Sequence, residues 1–487
     1  MTKQILELEP RPIWKHFVDL NAVPRPSKKE ERVIALMKSF AADLGLECSQ
    51  DETGNLIIRK PATPGMESRV PIVMQGHLDM VHQKNAETAF DFDTQGIEMI
   101  LEGDWIRANG TTLGADNGIG VAAIMAVLAS DDIPHPAIEA LFTVDEETGM
   151  TGALGLKGDL LHGKILLNLD TEDDDEITIG CAGGINVTAS GTYTQEIPGR
   201  RDIAFQLALT GLAGGHSGMD IHRGRGNANK LINRLLFLAT HQCAIRISSI
   251  DAGGLRNAIP REAFARITVR ESRAEEFTDF ISEQAVILKS EHAGTDPGLE
   301  VALERVELPE SLLTTEFHRK ILWTVYACPN GVARMSPDID GLVQTSNSLA
   351  RVHVEDGEYK IISLVRGAVD SEKMDRAQAV RCCLEMMGAE VKFDGAYPGW
   401  APKPGAPIVR LLSDLYREMF HQEPKVLACH AGLECGILGS NYPDVQMVSF
   451  GPNIRGAHSP DEKVQISSVQ KFWSLLQETL QRIPVAS

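Results

Sequence analysis

Apolar and polar positions in the first third of the chain alternate between two patterns. Over residues 30–44, apolar side chains recur at Val33, Ile34, Met37, Phe40, Ala41 and Leu44, the spacing of one helical face. Between such stretches lie short apolar runs: 55–60 (NLIIRK, closed by Pro61), 70–75 (VPIVMQ), 138–144 and 164–169 (KILLNL). Runs this short and this continuously apolar predict strands buried on both faces. Residues 118–129 (GIGVAAIMAVLA) predict a helix of small residues opened by glycines. The alternation predicts a layered α/β fold with a mixed, largely parallel sheet.

After Gly183 and Gly184 the pattern changes. Residues 204–210, 263–269 and 358–365 alternate like half-exposed strands, and long helical stretches such as 227–241 lie between them. This predicts an α+β domain inserted into the first. The stretch 395–405 (GAYPGWAPKPG) is rich in proline and glycine and reads as the return linker. The expected organisation is a first domain in two segments, 1–185 and 397–487, around an inserted domain, 186–396. The insert is long enough for two similar α+β halves, although no repeat is visible in its residues.

Composition narrows the classes of function. The 487 residues carry Lys+Arg 47 and Asp+Glu 67, a formal net charge of −20. Such a chain repels phosphate backbones and anionic lipid, which argues against a general nucleic-acid or membrane-surface binder. Hydrophobic residues at 43% and charged residues at 23% suit a globular protein rather than a disordered one. The first twenty residues lack the apolar core of a leader, and no apolar run is long enough to span a membrane. Eight scattered cysteines, none in a CxxC pair, predict no disulfide framework and a reducing cytoplasmic setting.

The chemistry-bearing residues collect at the ends of predicted strands. His77 and Asp79 (QGHLDMV) follow the run 70–75, Glu146 and Glu147 follow 138–144, and Asp170 ends 164–169. Asp116 (TTLGADNGIG) precedes the small-residue helix. In open α/β sheets, sites form beyond the carboxyl ends of the strands, so four segments deliver donors to one edge. Each motif alone is a common turn; their order and placement together are what count. Imidazole and carboxylate without thiolate suit zinc, manganese or cobalt. With Asp116 bridging two ions, one takes His77 and Asp170. The other takes Glu147 and a further histidine, best supplied by His458 (GAHSPDE). Each ion then keeps a position open for water. Asp79 is placed to accept the other ring N–H of His77. Glu146 cannot point where Glu147 points if the backbone there is extended, and is free to act as a general base.

These motifs, with CAGGI, GGHSG, GRGNANKL, LRNAIPREAFA, GAYPGW and HAGLECG, resemble the M20 family of metallopeptidases along essentially the whole chain. Within that family they resemble the cytosolic aminoacyl-histidine dipeptidases. The resemblance implies two zinc ions on His77, Asp116, Glu147, Asp170 and His458, with manganese or cobalt as substitutes. It assigns the base to Glu146 rather than Glu147, and the orientation of the histidine ligand to Asp79. It implies a catalytic domain with an inserted lid, whose His216 stabilises the tetrahedral oxyanion and whose Asn257 and Arg366 hold the substrate. The implied reaction is hydrolysis of dipeptides, preferentially Xaa-His, by a metal-activated water. A broader amide hydrolase of the same family and a non-catalytic metal- or peptide-binding protein are the alternatives. A small peptide is the expected partner, with room for a homodimer through the lid. Met219 and Gly367 stand where the family pattern leads one to expect a glycine and a small hydroxyl residue.

Overall fold

The computed structural model describes residues 2–486. Their contacts divide the chain into two compact units. One comprises Met1–Gly180, Pro402–Ala428 and Leu433–Ser487; the other comprises Cys181–Ala401 and Cys429–Gly432.

The first unit is built on an eight-stranded mixed sheet. Its order is Glu47–Gln50, Leu56–Lys60, Ile138–Thr143, Ile72–His77, Ile165–Asn168, Gln446–Ser449, Glu176–Cys181 and Lys425–Cys429. Ile72–His77 runs parallel to both neighbours, Ile138–Thr143 and Ile165–Asn168, and all three are buried along their whole length. The continuous apolar runs in the sequence have this cause. The helix Ala115–Ala129 is buried on nearly every side, because alanine and glycine let it approach the strands closely. A Cβ on Gly120 would collide with the Leu169 carbonyl, so even alanine is excluded there. That approach lets the Asn117 side chain accept from His77 N (3.3 Å) and donate to Leu169 O (2.5 Å). The amphipathic helix Arg11–Asn21 covers it with Ile13, Trp14, Phe17 and Leu20. Each such side chain contributes roughly 1.5–3 kcal/mol of burial.

The second unit contains a nine-stranded sheet whose strand pairings are all antiparallel. Its order reveals the doubling that the residues conceal. Asp202–Thr210, Ala228–Cys243, Arg246–Gly253, Ala263–Arg270, Ala274–Glu291 and Glu300–Val306 form a βαββαβ series. Gly183–Thr192, Thr315–Ala327, Val343–Glu355, Glu358–Gly367, Asp370–Glu385 and Glu390–Tyr397 form a second one, with a short strand, Gly331–Met335, added beside Val343–Glu355. In both, the first strand lies between the third and the fourth. The two second strands, Arg246–Gly253 and Val343–Glu355, pair where the halves meet. Leu231, Leu235, Phe277, Ile281, Ile321, Val325, Val380 and Leu384 from the four helices share one core with alternate strand residues such as Leu207, Leu209, Ala265 and Ile267. Asn227 caps the helix Ala228–Cys243 by accepting from Asn229 N and Lys230 N.

Two local expectations are corrected. The stretch 395–405 is not wholly a linker, since the last strand runs on through Tyr397, which pairs with Gly184 after an irregularity. The backbone at Glu146 and Glu147 is not extended but opens a one-turn helix, Glu146–Gly149, after Asp145 with φ 52°.

Candidate metal centre

Each acidic or imidazole side chain in the first unit is held by a specific local structure. His77 is the last residue of its strand, and Asp170 stands two residues beyond Ile165–Asn168. Asp116 occupies the first turn of Ala115–Ala129 with non-helical angles (φ −80°, ψ 109°), and the peptide to Asn117 is cis. The turn before it is fastened by the buried Glu462, which accepts from the backbone N–H groups of Leu113, Gly114, Ala115 and Asp116 at 2.7–3.2 Å. The Arg25 guanidinium, also buried, donates to the carbonyls of Leu78, Asp79 and Gly114 and so ties the two loops together. His458 sits in a loop at φ 63°, uncommon for a residue with a side chain.

The donors converge. His77 Nε2 lies 3.1 Å from Asp116 Oδ1 and 3.6 Å from Asp170 Oδ1. His458 Nε2 lies 3.2 Å from Asp116 Oδ2 and 3.0 Å from Glu147 Oε2. The two oxygens of Asp116 therefore face two different triads, His77–Asp116–Asp170 and Asp116–Glu147–His458. Asp79 accepts from Glu146 N (3.0 Å), Glu147 N (3.3 Å) and Ser27 Oγ (2.7 Å), and its Oδ1 is 3.4 Å from His77 Nδ1. One carboxylate thus ties down the segment that carries both glutamates and lies against the ring of His77.

A pair of divalent cations fits this arrangement. A tetrahedral ion with bonds of about 2.0–2.1 Å sets its donors roughly 3.3–3.4 Å apart, and the observed separations bracket that value. Glu147 Oε1 is buried with no hydrogen-bond partner. The protein alone balances the charge only by loading protons. Hydrogen bonds to Asp116 and Glu147 push His458 up to about 11. Burial opposes a charge on His77, yet Asp170, Asp116 and Asp79 hold its pKa well above the ordinary value. Burial, reinforced by Asp116 and Glu147, lifts Asp170 to about 6. Burial together with Asp170, Glu434 and Glu147 raises Glu146 well above the usual range. The site therefore calls for positive charge, and its nitrogen and oxygen donors suit zinc, manganese or cobalt.

The remaining candidates lie in the second unit. His216 Nδ1 accepts from Gly218 N (3.2 Å) and Met219 N (2.9 Å), which places the neutral ring's proton on Nε2. Burial, with Arg366 nearby, pushes its pKa down to about 4, so the ring stays neutral. Arg366 is buried, donates to Tyr397 Oη (3.0 Å), has no carboxylate partner among the described residues, and holds one terminal nitrogen 3.4 Å from His216 Nε2. Two donors facing each other do not bond; they leave a place for an acceptor. Asn257 presents an exposed side chain, and its backbone oxygen accepts from Ser217 N at 2.8 Å. Sequence reasoning passed over Arg25, Glu434 and Glu462, although HAGLECG and GAHSPDE contain the two acids. It also passed over Tyr397 and the pairing of His430 Nε2 with Ser346 Oγ (2.7 Å).

The model of peptidase family M20/M25/M40 matches residues 73–482. The chain belongs to this family. It is 41% identical over 481 residues to the cytosol non-specific dipeptidase of Escherichia coli, covering 99% of each chain. Its fold matches the crystal structure of the aminoacylhistidine dipeptidase of Vibrio alginolyticus with a TM-score of 0.93, at 41% identity and 99% coverage of both. A tripeptidase from Staphylococcus aureus shares the M20 fold at a TM-score of 0.57 and 14% identity, over 98% of this chain and 99% of that one. Among the described residues, no helix is long and apolar enough to cross a membrane.

Proposed function

We propose that this M20 peptidase is a cytoplasmic di-metal dipeptidase that hydrolyses Xaa-His substrates, carnosine-like ones included. The observation that carries the reading is Asp116, whose two oxygens each face a separate histidine–carboxylate pair. His77, Asp116 and Asp170 would hold one zinc, and Asp116, Glu147 and His458 the other. When bound, the ions would acidify a shared water and polarise the scissile carbonyl. Glu146 takes the proton of the attacking water and returns it to the leaving amine. Asp79 keeps His77 in one tautomer and orientation. The first unit is the catalytic domain and the second its lid. His216 donates its Nε2 proton to the developing oxyanion. Arg366 and Asn257 hold the substrate carboxylate and backbone. Pairing of two copies through the lid belongs to the same reading.

The test joins metal analysis to a substrate panel. Two equivalents of zinc per chain are expected, with hydrolysis of Xaa-His dipeptides but not of tripeptides or N-acyl amino acids. Equal rates on dipeptides without histidine would favour a broader enzyme, as the name of the Escherichia coli relative suggests. Absence of bound metal would remove the reading. Sedimentation of the purified chain tests the dimer.

A further inference from the structure

One row of side chains lies beneath the candidate metal donors and takes no part in the chemistry above. Gln75 precedes His77 by two residues on one strand and so shares its face, and Asn168 is the last strand residue before the loop that carries Asp170. Gln75 and Asn168 stand opposite each other on parallel strands, and Asn168 stands opposite Ser449 on the next. Their side chains are bonded in series. Ser449 Oγ donates to Asn168 Oδ1, and Asn168 Nδ2 donates to Gln75 Oε1 (2.5 Å). Gln75 Nε2 then donates to Glu434 Oε2 (2.7 Å), which also accepts from Thr143 Oγ1 (2.6 Å). Thr143 faces His77 across the strand pair.

The row ends on Glu434, at the start of the helix Glu434–Asn441. It is only 1% exposed, and its Oε1 is buried with no partner. No lysine or arginine pairs with it among the described residues. Burial lifts its pKa to about 7 while His77 pulls it down, so positive charge arriving nearby is what ionises it fully, and its field reaches Asp170 and Glu146 as well. A buried acid with one unmatched oxygen costs stability unless positive charge arrives nearby.

We propose that Glu434 is a positioning residue for the metal centre. Through Gln75 and Thr143 it sets the two strand ends that present His77 and the Glu146–Glu147 segment, and from below it adds negative charge that favours cation binding. The proposal rests on the di-metal reading above. Glu434→Gln keeps the shape and removes the charge, and Thr143→Val removes one donor to it. Zinc affinity is read by competition with a chromophoric chelator, and Tm is measured on zinc-loaded and chelator-stripped protein.

In Glu434→Gln, zinc affinity is expected to fall about 10- to 100-fold, the usual effect of groups that support metal ligands. The Tm of the stripped protein stays level or rises, so the gap between loaded and stripped Tm narrows. Thr143→Val is expected to weaken zinc by a smaller factor. A merely structural role would lower both Tm values together and leave zinc affinity unchanged, and that result overturns the proposal. Wild-type protein that takes up no zinc would remove the di-metal reading and this inference with it. Wild-type zinc binding with unaltered affinity in both variants removes this inference alone.

Discussion

The two units bury polar groups in opposite ways. The first gathers Asp79, Asp116, Glu146, Glu147, Asp170, Glu434 and Glu462 around two histidines and Arg25. The second buries His318 and His430 and half-buries His216, with burial pressing His318 down to about 4 and His430 to about 3. The acids cannot all be satisfied from within, because hydrogen bonds and Arg25 do not balance their charge. The imidazoles can, because each stays neutral: His318 Nδ1 accepts from Ile247 N, and its Nε2 meets Thr240 Oγ1 at 2.9 Å. One unit carries an excess of buried acids, and the other holds its imidazoles neutral and leaves the buried Arg366 without a carboxylate partner.

The sharpest break of that contrast is Glu146→Gln. It should lower kcat roughly 10²- to 10⁴-fold, the span of a general base, while metal content stays at the wild-type level. Turnover at the wild-type rate would show that the proton goes elsewhere. Next, His216→Ala should lower kcat by about 10²- to 10³-fold, as for loss of one oxyanion donor, again with metal retained. An effect confined to KM would place His216 on the substrate ground state instead.

The third prediction concerns pH. His318 binds a proton more readily unfolded, at about 6.5, than folded, at about 4. Its burial therefore favours the fold fully above pH 6.5, and that contribution is lost as pH falls from 6.5 toward 4. At pH 5 the loss from this residue is about 2 kcal/mol. His318→Gln should flatten the fall in urea midpoint between pH 7 and 5, and an unchanged slope would show that other groups carry it. The smallest expected effect is local. Stripping metal should speed amide exchange at residues 77–80, 113–118, 145–150 and 456–462 and leave Val343–Glu355 unaltered. Uniform acceleration would show that the second unit also depends on the ions.

How far the sequence could be read follows the same division. The positions of His77 and Asp170 were legible because short apolar runs mark the buried strands that they follow, and that of Asp116 because it opens the small-residue helix. The direction taken by Glu146 was not legible, since a left-handed Asp145 turns the chain where continued extension seemed natural. Nothing in the sequence set Glu434 apart, because its partners Gln75 and Thr143 are more than 290 residues away. His430 opens HAGLECG, but its partner Ser346 lies 84 residues away and belongs to no motif. The doubling was hidden because the first strand of one half, Gly183–Thr192, is separated from the rest of that half by the whole of the other.

That interruption bears on biosynthesis. The half running from Asp202 to Val306 is contiguous and can close as soon as it leaves the ribosome. Gly183–Thr192 emerges earlier, yet its partners Glu358–Gly367 and Glu390–Tyr397 follow only after about 165 and about 200 further residues. At ~5–20 residues per second the nascent strand waits roughly 10–40 s before both edges can be covered. The stretch of chain most exposed to mispairing or to chaperone capture is therefore one that ends up in the interior of the finished sheet.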